Sequence, residues 1–190
     1  EKLAALAGIE GVYVPALHDG TKKIRRRIAE DLDNAFYHTS MIVPNTGIVH
    51  DRVAVQVFKG CTRGCRFCQA GMMYRPVRER SADNIVSAVV RGLDETGYDE
   101  VSLTSLSSTD HSQIAEILTR VNGACDGRGI RVSVPSQRLD SFGVEMAGLV
   151  AGQKKGGLTF APEAGTQRLR DVINKNVTEK DLINTLSLIH

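Results

Sequence analysis

The chain has 190 residues, 42% of them apolar, and a formal net charge of +2. That much apolar side chain can bury a core, and a single globular domain is the expectation for this length. No apolar run reaches the roughly 18 residues that a membrane helix needs, and so small a net charge gives no ground by itself for a nucleic-acid or acidic lipid partner.

In chain order, residues 1–52 read as a lead-in or linker and residues 53–190 as the core. The lead-in carries a short helical piece around Leu3 to Ala7 and an extended Val12–Pro15. It also holds the basic run Lys22-Lys23-Ile24-Arg25-Arg26-Arg27. Ile24, Ile28 and Leu32 recur at helical spacing opposite those charges, so the run reads as the solvated face of a linker helix; contact with phosphates is the alternative. From Val53 a β-then-α rhythm begins. Val53–Phe58 is predicted as a strand. A helix follows over Ala82–Glu95 with Ser81 as its cap and Ile85, Val86, Val89, Val90 and Leu93 on its inner face.

Glu100–Thr104 is the second predicted strand, and Asp110 can cap a helix striped by Ile114, Ile117, Leu118 and Val121. Ile130–Val134 is the third strand, after which Ser141 can cap a helix containing Val144, Ala147 and Leu149. Gly157–Ala161 is the fourth, with helices over Gln167–Ile173 and Asp181–Leu188 to close. The fold class is therefore α/β: successive β-α units make a parallel sheet with helices outside. Four strands fall short of a closed eight-fold barrel, which needs about 200 residues or more, so a truncated piece of a larger protein is the expectation.

The densest chemical signal is Lys59-Gly60-Cys61-Thr62-Arg63-Gly64-Cys65-Arg66-Phe67-Cys68-Gln69-Ala70-Gly71. Its three cysteines suit three thiolates on one face of an iron–sulfur cube, leaving one iron without a protein ligand and open to a small molecule. Phe67 would shield such a cluster from water. A zinc site is the alternative, and it must recruit Cys125 or a distant histidine such as His111 as fourth ligand. Three cysteines within eight positions, and no apolar secretory stretch at the start, argue for a reducing cytoplasm rather than a disulfide framework. Cys125 stands alone and reads as a small buried hydrophobe.

At these residues the chain resembles the radical S-adenosylmethionine (SAM) superfamily, whose signature spaces three cysteines by three and then two residues with an aromatic before the last. The resemblance narrows to cobalamin-binding-domain-associated radical SAM proteins through Cys65–Gly71, Tyr74–Ser81, Ser102–Asp110 and Phe160–Gly165. It implies a partial (β/α) barrel, a 4Fe–4S cluster on Cys61, Cys65 and Cys68, and SAM as cofactor. A reductant such as flavodoxin or ferredoxin is the implied partner. SAM would be reductively cleaved to methionine and a 5'-deoxyadenosyl radical that acts on a substrate the sequence does not name. No Asp-X-His-X-X-Gly occurs, and His18-Asp19-Gly20 does not fit it, so any cobalamin belongs to a domain outside this chain.

Parallel sheets place their chemistry at the carboxyl ends of strands, and the remaining candidates lie there. Besides Phe67, the resemblance implies cofactor-binding roles for Ser107, Thr109 and Asp110 after the second strand, Arg138 after the third and Glu163 after the fourth. Each has a plain alternative: helix capping for Asp110, a surface ion pair for Arg138, a helix-start charge for Glu163. Arg75, Arg78 and Arg80 read as structural ion pairs. A non-catalytic iron–sulfur or zinc module, for electron transfer or for a partner such as RNA, is the competing function.

Overall fold

The structure is a computed structural model that describes residues 1–21, 23–38, 40–151 and 158–189. The chain divides into two compact units, Glu1–Asp31 and Leu32–His190. In the first, α1 spans Lys2–Ala7, and His18 is pinned by the Val14 N–H, which donates to its Nδ1 at 2.9 Å. The basic run expected as a helix is irregular over the described residues 23–31, and Lys22 lies outside them. Like charges three and four residues apart repel along a helix, and a short helix needs an apolar face to pack; Ile28 stays 39% exposed and so supplies none. Leu32 falls in the second unit with the rest of residues 32–52.

The second unit holds every strand. A parallel three-stranded sheet runs in the order β1 (Val53–Gln56), β4 (Glu100–Thr104), β5 (Arg131–Ser133), with Val53 beside Val101 and Val101 beside Val132. The strand expected over Val53–Phe58 breaks at Val57, whose N–H still donates to the Thr104 carbonyl at 3.0 Å. Beyond the break β2 (Phe58–Lys59) pairs antiparallel with β3 (Arg78–Glu79) and so closes the cysteine segment into a loop. The expected fourth strand is reduced to one parallel bridge between Phe160 and Gln137, and Gly157 lies outside the described residues.

Two helices cover one face of the sheet. In α3 (Ala82–Thr96) the Ser81 side chain accepts the Asn84 N–H, as expected of its cap, and Gly97 ends the helix at φ 71°. Helix α4 (Ile114–Cys125) packs on α3 and β5. Ile85, Val89, Val55, Val101, Leu103 and Ile117 are fully buried between these layers. Gly92 is needed where α3 crosses β1, because a Cβ there would sit 2.8 Å from a Val53 methyl. Cys125 is 1% exposed, and burial pushes its thiol up, as befits a small core residue.

The free edge of β1 is covered by a side chain. The Tyr37 hydroxyl donates to the Ala54 carbonyl at 2.7 Å and accepts the Gln56 N–H at 3.3 Å, in place of a neighbouring strand. Arg80 holds that segment down. Its guanidinium lies 4.7 Å from the Tyr37 ring and donates to the Leu32 carbonyl and the Asn84 side chain, rather than making the ion pair expected of it. The remaining helices are α2 (Gln69–Met73), α5 (Val144–Ala151), α6 (Gln167–Val172) and α7 (Glu179–Ile189). Among the described residues no helix is long and apolar enough to cross a membrane.

Candidate functional site

The loop between β2 and α2 carries the three cysteines, all free and partly exposed. Gly60 makes the loop possible. It sits at φ 97°, and a Cβ there would come within 2.7 Å of the Tyr74 carbonyl and 2.8 Å of the Pro76 carbonyl, so the two ends of the loop close on it. At the far end Cys68 caps α2, its sulfur accepting the Gly71 N–H at 3.3 Å. The connector after α6 docks on the same loop: Asn174, at φ 55°, donates to the Gly64 carbonyl at 2.9 Å, and the Ile173 carbonyl accepts the Arg66 N–H at 2.9 Å.

Cys61, Cys65 and Cys68 line one cavity of about 280 Å³, together with Phe67 and residues from the carboxyl ends of β4 and β5. Ser107, Arg138 and Glu163 also line it, whereas Thr109 and Asp110 do not. Of the six predicted cofactor-side positions, Phe67, Ser107, Arg138 and Glu163 thus line the cavity, and Thr109 and Asp110 bond residues that line it. The Thr109 hydroxyl accepts the Arg138 N–H at 3.4 Å and is held by Ser141 at 2.8 Å. Phe67 is 55% exposed at the rim.

A charged network runs through the cavity wall and joins these candidates to Arg63, Asp140 and Lys175, which sequence reasoning missed. Arg63, between the first two cysteines, donates from Nε and Nη2 to the Asp110 carboxylate, the first at 2.8 Å, and from Nη1 to Asp140 at 2.9 Å. Asp140 also takes two bonds from Arg138, at 2.8 and 3.0 Å, and Arg138 reaches the Lys175 carbonyl at 3.0 Å. The Lys175 ammonium pairs with Glu163 at 3.1 Å. Asp110 thus does not cap α4, whose N-cap position is Gln113, without a side-chain cap bond. Arg138 is 8% exposed, so its ion pair is buried rather than on the surface. Ser141, expected to cap α5, lies in a 3-10 turn and bonds Thr109 instead.

The electrostatics follow from this packing. Burial pushes the Asp110 carboxyl up, but hydrogen bonds from Arg63 and Ser107 and the nearby guanidinium charges outweigh it and hold the group below the usual carboxylate range. Arg63 is raised, chiefly by its bond to Asp110. Glu163 sits at φ 68°, a left-handed backbone that a side-chain-bearing residue adopts only under constraint. Arg170, 2% exposed, holds this turn: it donates to the Ala164 carbonyl at 2.9 Å and to the Val177 carbonyl at 3.0 Å. One buried acceptor at the wall is unsatisfied among the described residues. Gln137 donates from Nε2 to the Val134 carbonyl at 3.0 Å, while its Oε1 has no partner.

Two histidines that could have been ligands are structural. His111, 3% exposed, accepts the Gln113 N–H at Nδ1 and bonds the Arg80 carbonyl through Nε2, and His18 is bonded within its own turn. Among the described residues no three His, Cys, Asp or Glu side chains converge on a single-ion site.

The profile of the family described as the Radical SAM superfamily matches residues 55–190. An uncharacterized protein of Methanocaldococcus jannaschii is 29% identical over 95% of this chain and 38% of its own length. The cytidylyl-2-hydroxyethylphosphonate methyltransferase of Streptomyces wedmorensis is 32% identical over 62% of this chain and 22% of its own. The chain spans about two fifths of the first relative and about a fifth of the second.

Proposed function

The chain belongs to the radical SAM superfamily, a membership that implies an enzyme, and from that premise we propose that Cys61, Cys65 and Cys68 hold a 4Fe–4S cluster beside a SAM site at the carboxyl ends of the parallel strands. The observation that carries this reading is the single cavity lined by all three free thiols and by polar groups from the loops after β4 and β5. The donor set fits. Three soft thiolates lining one cavity suit a multi-iron cube, and the Gly71 N–H on the Cys68 sulfur is the kind of bond that tunes cluster sulfurs. When bound, the cluster supplies an open iron for the amino and carboxylate groups of SAM and the electron that cleaves its sulfonium.

The protein's own groups then bind and shield. Ser107 and Gln137 offer acceptors to the cofactor's donors, and the orphaned Gln137 Oε1 would gain the partner it lacks. Glu163 is placed for hydroxyl or amine donors once it leaves Lys175, and Lys175 and Arg138 for a carboxylate. Thr109 and Asp110 support the wall from behind through Ser141 and Arg63. Phe67 covers the thiols at the rim. The sheet forms part of a partial barrel, residues 1–52 serve as its lead-in, and a flavodoxin- or ferredoxin-type reductant supplies electrons in the cytoplasm. Methyl transfer is the reaction class that the Streptomyces relative brings to the whole protein, and cobalamin would enter through a domain outside these residues.

Anaerobic reconstitution tests the reading. We expect about four irons and four sulfides per chain, lost in Cys61→Ala, Cys65→Ala and Cys68→Ala and kept in Cys125→Ser. With a strong reductant the loaded protein should release 5'-deoxyadenosine from SAM. Stoichiometric zinc without sulfide would overturn the proposal, and a cluster that never cleaves SAM would favour an electron-transfer module.

A further inference from the structure

A second cavity, of about 330 Å³, opens beside the cysteine cavity at the carboxyl ends of β1 and β4. Its size falls in the range of small-molecule sites, about 300 to 1,000 Å³. Leu106 lines both cavities and divides them, so a molecule in one lies next to a molecule in the other. Gln56 and Thr104 are register partners on β1 and β4 and both line the second cavity. Among the described residues neither side chain has a hydrogen-bond partner in the protein, which leaves an amide and a hydroxyl facing an open space.

The charge of this cavity is one-sided. Its lining contains Lys59 and no carboxylate. Among the described residues the Lys59 ammonium has no acidic partner; it lies over the Tyr74 ring, 5.8 Å from its centroid. Across the β2–β3 pair it faces Arg78, another cation. A half-buried ammonium normally finds a counter-ion, because burial disfavours an unpaired charge. The other cations of the site, Arg63, Arg138 and Lys175, all have theirs.

We propose that this cavity is the substrate pocket and that it takes a small oxyanion-bearing molecule, a carboxylate or phosphate held by Lys59, with its polar groups bonded by Gln56 and Thr104 and its reacting end turned past Leu106 toward the cofactor. The substrate role rests on the radical SAM reading. The anion site itself does not, and the two can fail separately.

The test uses protein labelled with 13C at the lysine Cε, Lys59 being identified by the resonance missing from Lys59→Arg. Inorganic phosphate and acetate are titrated into iron-free protein against chloride at equal ionic strength. A saturable shift of the Lys59 resonance is expected with one or both, and no more than chloride produces would overturn the proposal. By calorimetry Lys59→Met should bind the same anion roughly tenfold more weakly or worse, and Lys59→Arg nearly as well as wild type. Equal affinity in Lys59→Met overturns it. Gln56→Leu should weaken binding several-fold, so a poorly folding lysine variant leaves the question decidable. The last arm repeats the titration on reconstituted protein saturated with SAM. Persistence of the Lys59 shift supports two adjoining sites. Loss by competition would make this cavity part of the cofactor site and sink the inference while the cluster reading stands, and protein that takes up no iron and sulfide removes the substrate role whatever Lys59 binds.

Discussion

The helices behind the sheet and the loops at the carboxyl ends of its strands are held by different forces. Between α3, α4 and the sheet the contacts are aliphatic, with Val55, Leu103 and Ile117 wholly out of solvent. At the strand ends the contacts are ionic and directional, a chain from Glu163 through Lys175, Arg138, Asp140 and Arg63 to Asp110. Apolar packing is indifferent to pH and tolerant of small shifts, whereas the ionic layer holds each loop at a set distance and responds to protonation. The frame therefore carries stability and the loops carry placement, and changes in each should read out in different experiments.

The largest expected effect is in the frame. Leu103→Ala removes a fully buried side chain and should cost about 2 to 5 kcal/mol of unfolding free energy, the usual toll of a large-to-small core change. Denaturant unfolding of the iron-free protein checks it. If iron uptake in the surviving folded fraction fell as sharply as stability, the separation of roles would break.

A change in the ionic layer should do less to the fold and more to the loop. Asp110→Asn takes the bidentate partner from Arg63 and should cost about 1 to 3 kcal/mol, the range for hydrogen bonds to a charged group. Because the Asp110 carboxyl is held below its ordinary value, about 3.9, its contribution is present above that pH and is lost as pH falls through the folded value. Wild type should thus lose more stability than Asp110→Asn between pH 5 and the acid side of about pH 4. Parallel pH profiles for the two proteins would show that the pair adds nothing.

The same contrast decides what could be read from the residues beforehand. Elements with a sustained period stand in the structure nearly as the sequence implies: β4 over Glu100–Thr104, and α3 with its Ser81 cap. Their signals are local. The β2–β3 pair escaped because strands of two residues have no period, and the basic run was misread because helical spacing without a packed face does not make a helix. That the three cysteines share one cavity was legible from their spacing. Arg63, Asn174 and Lys175 were not, since their roles come from contacts across the fold, such as that between Asn174 and Gly64, 110 residues apart, and neither was Gln137, whose role comes from its burial. A charge between two cysteines and an Asn-Lys-Asn run after a helix were the available signals.

The smallest effect expected is also the one that best separates placement from stability. Glu163 holds φ 68°, and a left-handed backbone costs a residue with a Cβ about 1 to 2 kcal/mol that glycine does not bear. Its ion pair with Lys175 joins side chains 35% and 11% exposed, and a pair this open to solvent contributes about 0 to 1 kcal/mol. Removing both at once with Glu163→Gly should leave stability unchanged or raise it by about 1 kcal/mol. No helix-start charge is lost with it, because α6 begins at Gln167 under a Thr166 cap that does not need Glu163. If Glu163 instead contacts the cofactor, the glycine variant should bind SAM about tenfold more weakly with its iron and sulfide content intact, as loss of a charged hydrogen bond requires. A titration of both reconstituted proteins beside their denaturation curves makes the measurement. Unchanged affinity in a stabilised variant would place Glu163 outside the site and assign its strained backbone to the turn that Arg170 holds.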